Sequence, residues 1–274
     1  LLGYYAAEGF VREEETEKGT IHQTTLCGTE DDARDFYLDV LEAEFGVNPY
    51  VENHAKITAS GRLLRVFFQE VLDAGIGASD KRVPQHVLRD ENDIVSAYLS
   101  GYFSGDGSVE DGRLVVNATT VSKELKEDLL ALLTRLGIKA RLDIQDPINL
   151  NEKFPDYYDA DDQTKSAIRY VLTISSEDTV VFSETVGFHL TRKQEALAKQ
   201  IENVPVRSRR VFDGGADDAL IESIDSVEYK QAEADAVYCL TVADTHSLIT
   251  NDLSAKQCDG DEDCVMLLMD GLLN

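Results

Sequence analysis

Apolar and polar positions along the chain fall into a pattern that occurs twice. "LLGYYAAEGF" at residues 1–10 is apolar or small up to the acid Glu8, and "YLSGYFSGDGSV" at 98–109 is apolar or small up to Asp106. Each phrase predicts a helix ending at its acid. Alternating stretches then predict two strands, at about 10–15 and 20–27 in the first half and about 108–110 and 113–119 in the second. A helical pattern follows at about 30–45 and 121–136, then strand-like material at 47–60, matched by 138–144 and 167–174. Closing helices are expected at 62–74, and at 177–186 and 191–202. The implied class is α+β, an α-β-β-α-β-β-α unit duplicated with pseudo-twofold symmetry, the copies spanning about 1–92 and 93–203. "QDPINLNEKFPDYYDADDQTK" at 145–165 has the Pro, Asn and Asp content of a surface loop inserted in the second copy.

The repeat extends beyond periodicity. Aligning Glu8 with Asp106 brings Gly3 over Gly101, Ala6 over Ser104 and Ala7 over Gly105. Further on, Gly75 to Lys81 matches Gly187 to Lys193, a glycine followed six residues later by a lysine. Small residues at these helix positions let two helices approach backbone to backbone. The terminal acids would then meet, and paired carboxylates are tolerable mainly when divalent cations with oxygen ligands occupy the gap. Paired acids with metal and phosphate are nuclease chemistry. Read for packing alone, the glycines are helix-contact residues and the lysines solvated charges.

Composition changes that picture in one respect. The chain has 274 residues with 26 Lys+Arg against 52 Asp+Glu, a net charge of −26. Charge alone argues against a partner held by a globally basic surface, nucleic acid included. The same acidity suits a protein working in concentrated salt, and 43% hydrophobic residues supply a core, which excludes an acidic disordered chain. Four scattered cysteines without CxxC spacing suit a reducing cytoplasm, and no apolar run reaches membrane-spanning length. A start at Leu1 with a motif already under way marks a fragment.

The paired phrases resemble the motifs of LAGLIDADG homing endonucleases. The resemblance covers about residues 1–203, with Ala6 standing where the family carries Asp. It implies that the motif helices form a pseudo-dyad, that Glu8 and Asp106 bind Mg²⁺ over double-stranded DNA, and that Lys81 and Lys193 polarise the attacked phosphate or water. It also implies a monomeric endonuclease domain. A DNA-binding module of the same fold that has lost cleavage stays open beside it. The scarce cations Arg12, Lys18, His22, Arg113, Lys139, Arg141 and Arg169 are expected together on one face of the sheets, reading the major groove.

The tail is different. "DAVYCLTVADTHSLITNDLSAKQCDGDED" from Asp235 reads as two short strands in Val237–Ile249 around a turn at Asp244. It resembles the C-terminal splicing motifs of inteins, part of an all-β Hint-type segment expected over 204–257. By that resemblance His246 is the strand-end histidine, Lys256 stands for the usual penultimate His, Gln257 for the terminal Asn, and Cys258 is the first residue beyond the junction. Gln257 would close a six-membered ring where Asn closes a five-membered one, which slows cleavage. With Lys256 unable to act as an imidazole, His246 is the better proton donor, and Cys258 a capable nucleophile. From 258 to 274 the chain resembles the catalytic stretch of the archaeal family-D DNA polymerase large subunit. Asp259, Asp261 and Asp263 are there the implied Mg²⁺ ligands, and an acidic helix N-cap is the plainer reading. This implies further partners: the missing amino-terminal intein half, the polymerase exteins and the polymerase small subunit.

Overall fold

The computed structural model describes residues 1–17, 19–149, 166–206, 226–229, 242, 247–250 and 253–256. The chain divides into two units, Leu1–Arg209 and Arg210–Asn274.

In the first unit, α1 (Leu2–Glu8) leads into the antiparallel strands β1 (Gly9–Thr16) and β2 (Gly19–Cys27). Helix α2 (Asp31–Phe45) stops at Gly46, whose φ of 60° is the left-handed end that glycine accepts without strain. β3 (Tyr50–Asn53), β4 (Lys56–Ser60) and α3 (Arg62–Val66) complete the first copy. After a short α4 (Gln85–Arg89), the second copy begins with α5 (Asn92–Asp106), β5 (Ser108–Val109) and β6 (Val115–Thr120). It continues with α6 (Lys123–Arg135), β7 (Ala140–Asn149), β8 (Ser166–Ser175), α7 (Glu177–Thr185) and α8 (Thr191–Asn203). The two sheets have matching orders, β1-β2-β4-β3 and β5-β6-β8-β7, both antiparallel. The duplicated α-β-β-α-β-β-α fold is therefore present as the pattern implied.

Each sheet buries one face under its helices, and alternation decides which. Leu26, Ile57 and Ala59 lie in the first core with Tyr37 of α2 and Phe68. Val116, Ala118, Leu172 and Ile174 lie in the second with Leu125, Leu129, Leu132 and Leu133 of α6, a stripe at helical spacing. Complete burial of such a side chain contributes about 1.5–3 kcal/mol. Helix α1 belongs to both cores, with Tyr4 and Tyr5 in the first and Ala6 in the second.

Several expectations are corrected. The stretch 145–165 is not wholly a loop: β7 continues through Asn149, past an irregularity between Gln145 and Ile148, and 150–165 lies outside the described residues. The helix expected over 62–74 is α3 followed by a π-helical turn at Phe67–Val71, the wider turn that lets Phe67 and Phe68 both reach Phe45. Helix α4 was not foreseen. It follows Pro84, which fixes the backbone just before its first turn. The cations do not share one face. Arg12 pairs with Gln23 and Glu13 with His22, so His22 shares the core side of the sheet with Thr24 and Leu26 while Arg12 points away. Lys18 lies outside the described residues.

In the second unit, β9 (Ser247–Thr250) and β10 (Leu253–Lys256) form an antiparallel pair with Leu253 opposite Thr250. The strand expected near Ile249 thus finds its described partner downstream. His246, Gln257, Cys258, Asp259, Asp261 and Asp263 lie outside the described residues. Among the described residues no helix is long and apolar enough to cross a membrane.

Candidate active site

The site begins with the contact between α1 and α5. A Cβ at Gly3 would fall 1.9 Å from the Tyr98 carbonyl oxygen and 2.6 Å from the Tyr102 nitrogen, so no other residue fits without moving a helix. A Cβ at Gly101 would lie 3.1 Å from the Tyr4 nitrogen, and one at Gly105 would lie 2.5 Å from the Ala7 Cβ and 3.0 Å from Glu8 Cγ. The helices run together to their C-termini, which brings Glu8 and Asp106 into one electrostatic field.

That field is crowded with negative charge. A helix C-terminus carries roughly half an elementary negative charge, and here two such ends converge with an acid on each. Burial pushes the Glu8 carboxyl above its usual range, opposed by the Lys193 ammonium of the other copy. Burial pushes Asp106 well above the carboxylate range, and Glu8 raises it further, while Lys193 and, more weakly, Lys81 oppose. The Tyr102 hydroxyl stands beside Asp106 and short of good hydrogen-bond geometry. Among the described residues, no three or more His, Cys, Asp and Glu side chains gather as a metal cluster.

The two lysines act on the helix ends. Lys193, on the first turn of α8, donates from Nζ to the carbonyls of Ser104 (2.5 Å) and Gly105 (2.8 Å), last-turn acceptors of α5. Lys81 donates from Nζ to the Tyr5 carbonyl in α1 at 2.9 Å and lies 3.3 Å from the centre of the Tyr5 ring. Matching sequence positions thus hold matching helices, but unequally. Lys81 is 2% exposed, and burial pulls its ammonium down to about 7, against the raising influence of Asp80 and Asp106. Lys193 is half-buried and lines a cleft of about 220 Å³ with Glu8, Cys27, Glu30, Ser104 and Arg192. The reading of Lys81 as a solvated surface charge is overturned: its Nζ is enclosed by α1.

Side chains that sequence reasoning missed complete the frame. Ser104 Oγ accepts the His189 N–H at 2.7 Å, anchoring the segment before α8 to α5. Ala6, at the matching place, has no hydroxyl to do so. Arg192 donates to Glu30 at 2.6 Å, and Asp32 accepts the Thr191 N–H at 3.1 Å, which ties the start of α8 to that of α2 across the copies. The Tyr5 hydroxyl donates to the Gly75 carbonyl at 2.7 Å, and Ser122 Oγ to the Lys81 carbonyl at 2.6 Å, fixing the loop that delivers Lys81. The departure from Ala to Ser at position 104 of the repeated phrase was the one signal available in the sequence.

Comparison with known proteins gives this geometry a lineage. Residues 93–187 match the LAGLIDADG-like domain family. The whole chain is 38% identical to part of the DNA polymerase II large subunit of Haloquadratum walsbyi and 32% identical to part of that of Thermococcus kodakarensis. It spans 13% and 15% of the length of those relatives. Among solved structures, the homing endonuclease I-DmoI in complex with DNA and Mn is 16% identical, with 69% of this chain and 95% of that chain covered and a TM-score of 0.49. The LAGLIDADG meganuclease I-AabMI bound to uncleaved DNA is 10% identical, with 73% and 88% covered and a TM-score of 0.46. Residues 93–187, most of the second of two matching copies joined through glycine-packed helices, thus belong to the LAGLIDADG-like domain family, and the chain is similar along its whole length to a segment of DNA polymerase II large subunits.

Proposed function

We propose that the chain is a divalent-metal-dependent, site-specific DNA endonuclease carried as an intein within a DNA polymerase II large subunit. The observation that supports it most is the pairing of Glu8 and Asp106. Two desolvated carboxylates at two converging helix C-termini, each held above its ordinary range, form a site with an unmet demand for positive charge. Hard oxygen donors of this kind fit a divalent cation such as Mg²⁺. Glu8 and Asp106 would hold it, and the bound ion supplies Lewis acidity toward a phosphoryl oxygen and a more acidic water. The chain's own groups do the rest. Lys193 brings an ammonium into the lining of the cleft that Glu8 shares, and Lys81 fixes the end of α1 through the Tyr5 carbonyl. The partner in this reading is double-stranded DNA bound by a monomer in the cytoplasm.

The same reading assigns the rest of the chain segment by segment. Residues 1–203 are the endonuclease, 204–257 the carboxy-terminal part of the splicing domain, and 258–274 the start of the polymerase segment. His246, Gln257 and Cys258 serve the splice junction, and Asp259, Asp261 and Asp263 the Mg²⁺ site of the restored polymerase, which works with its small subunit.

The test is cleavage of a duplex carrying the uninterrupted polymerase sequence, in molar KCl with Mg²⁺ or Mn²⁺. Glu8→Gln and Asp106→Asn are each expected to abolish cutting and to spare binding. One observation favours a second reading, a recognition module without cleavage: the Lys81 ammonium is sealed against α1 and turned from solvent. Sequence-specific binding by the unmutated chain with no cut under either metal would establish that reading instead.

A further inference from the structure

Behind Asp106 stands a polar group that the carboxylate pair does not yet use. Tyr102 lies four residues before Asp106 on α5, so the two side chains share a helix face. The tyrosine is part of the second core, with 0% exposure. Its phenol oxygen is buried as well and completes no hydrogen bond among the described residues. Two acceptors lie within its reach, the Asp106 carboxylate and the Thr120 hydroxyl. Thr120 Oγ already accepts the Ser122 N–H at 3.1 Å, at the turn that starts α6. The carboxylate is the stronger acceptor of the two.

A buried hydroxyl without a partner loses its bonds to water and gains nothing in return, so such a group calls for a state in which it is satisfied. Burial, with Asp106 adding to it, pushes the Tyr102 phenol well above its usual range, and the group therefore keeps a proton to donate. The first copy lacks this arrangement. Tyr4 holds the matching position, four residues before Glu8, and its hydroxyl meets His189 Nδ1 at 3.1 Å. The two acids thus differ in what stands behind them as well as in length. Glu8 lines the cleft beside Lys193, whereas Asp106, one methylene shorter, has Tyr102 at its back.

We infer that Tyr102 is a positioning residue whose hydroxyl donates to one oxygen of the Asp106 carboxylate when a divalent cation is held, which fixes the group and leaves its other oxygen to the cation. This rests on the proposed metal site and assigns what steadies one of its two acids. Carboxylates that ligate a metal are themselves hydrogen-bonded, and losing such a partner typically costs about 10- to 100-fold in metal affinity or activity.

The experiment is titration of the full-length chain with Mn²⁺ in molar KCl, with and without a duplex carrying the uninterrupted polymerase sequence, followed by calorimetry and by the near-ultraviolet absorbance of tyrosine. Tyr102→Phe removes the hydroxyl alone. Its Mn²⁺ affinity is expected to fall about 10- to 100-fold, while urea unfolding of the metal-free variant shows stability equal to the parent's or above it, because the deleted atom made no bond. Tyr98→Phe is the control. Its hydroxyl, on the same helix, is likewise buried without a partner among the described residues, and the acid whose charge reaches it is Asp128. That variant should bind Mn²⁺ as the parent does. Mn²⁺ should also shift the tyrosine absorbance of the parent and of Tyr98→Phe, and the shift should shrink in Tyr102→Phe. Parental Mn²⁺ affinity in Tyr102→Phe, or an equal loss in Tyr98→Phe, would overturn the inference while leaving the proposed function standing. Should Tyr102→Phe fail to fold, the parent decides, and tyrosine absorbance indifferent to bound Mn²⁺ would overturn the inference. A parent that binds no Mn²⁺ with or without the duplex would remove the metal site and the inference together.

Discussion

Replacing Lys81 by Met is expected to make the protein more stable and less active at once. The ammonium is 2% exposed, and its pKa of about 7 compares with 10.5 for an unburied lysine. One pH unit of such a gap is worth about 1.4 kcal/mol, so the gap of about 3.5 units sets a ceiling of about 5 kcal/mol on the cost of holding this charge inside the fold. The sign follows from proton counts. Folded protein releases the proton near pH 7 and unfolded protein keeps it to about 10.5, so between those values the unfolded chain binds more protons and stability rises with pH. Below pH 7 the full cost applies. Methionine matches the length of the side chain, keeps an apolar contact with the Tyr5 ring, and leaves the Tyr5 carbonyl its bond from the Gly9 N–H. Urea unfolding of parent and Lys81→Met in molar KCl, at intervals from pH 6 to 10, isolates this group because other titrations cancel in the difference. The variant should exceed the parent by about 2–5 kcal/mol at pH 6, and the advantage should shrink by about 1.4 kcal/mol per pH unit above 7. Parallel profiles, or a variant less stable at pH 6, would refute the reasoning. A cleavage assay of the same variant should show activity lost while the fold is strengthened.

Four further outcomes are expected. Gly3→Ala should cost more than about 3 kcal/mol or prevent folding, as seen by circular dichroism, because its Cβ would land 1.9 Å from a backbone oxygen. Metal-free Asp106→Asn should be more stable than the parent above the ordinary carboxylate range, since a carboxyl raised by burial and by Glu8 loses stability as it ionises, and Mn²⁺ should no longer raise its melting temperature. Metal affinity of the parent, followed by calorimetry, should climb with pH beyond that range because protons compete for both raised carboxyls. On the proposed reading of residues 204–257, mixing the chain with an amino-terminal intein half should release a peptide beginning at Cys258, found by mass spectrometry and suppressed more by His246→Ala than by Lys256→Ala.

What the sequence disclosed was what depends on spacing alone. Gly3, Gly101 and the two acids were legible because a helix–helix contact needs small residues at fixed intervals, and the repeat displayed those intervals twice. The lysines were legible as positions and not as environments. Nothing in "SDKRVP" tells that Lys81 ends against Tyr5, since that depends on Ser122 holding its carbonyl from another element. The side of the sheet facing the core was set by Leu26 and Ile57, and counting in twos from Leu26 would have put His22 on that side. Treating cations as a set and ignoring strand parity is what misplaced it. The π-helical turn at Phe67–Val71 could not be read, because consecutive apolar residues suit several helical pitches until their partners are known.

The inequality between the two lysines carries a consequence for descent. In a dimer of identical chains every substitution appears on both sides of the axis, so a sealed ammonium facing one acid would be sealed facing the other. Here a single polypeptide carries both halves, and Ala6 can stand opposite Ser104 and a buried Lys81 opposite a half-open Lys193. Joining the copies released each from the obligation to resemble its twin at the axis while the glycine contact kept the axis itself. One half can hold the frame still as the other drifts toward new chemistry.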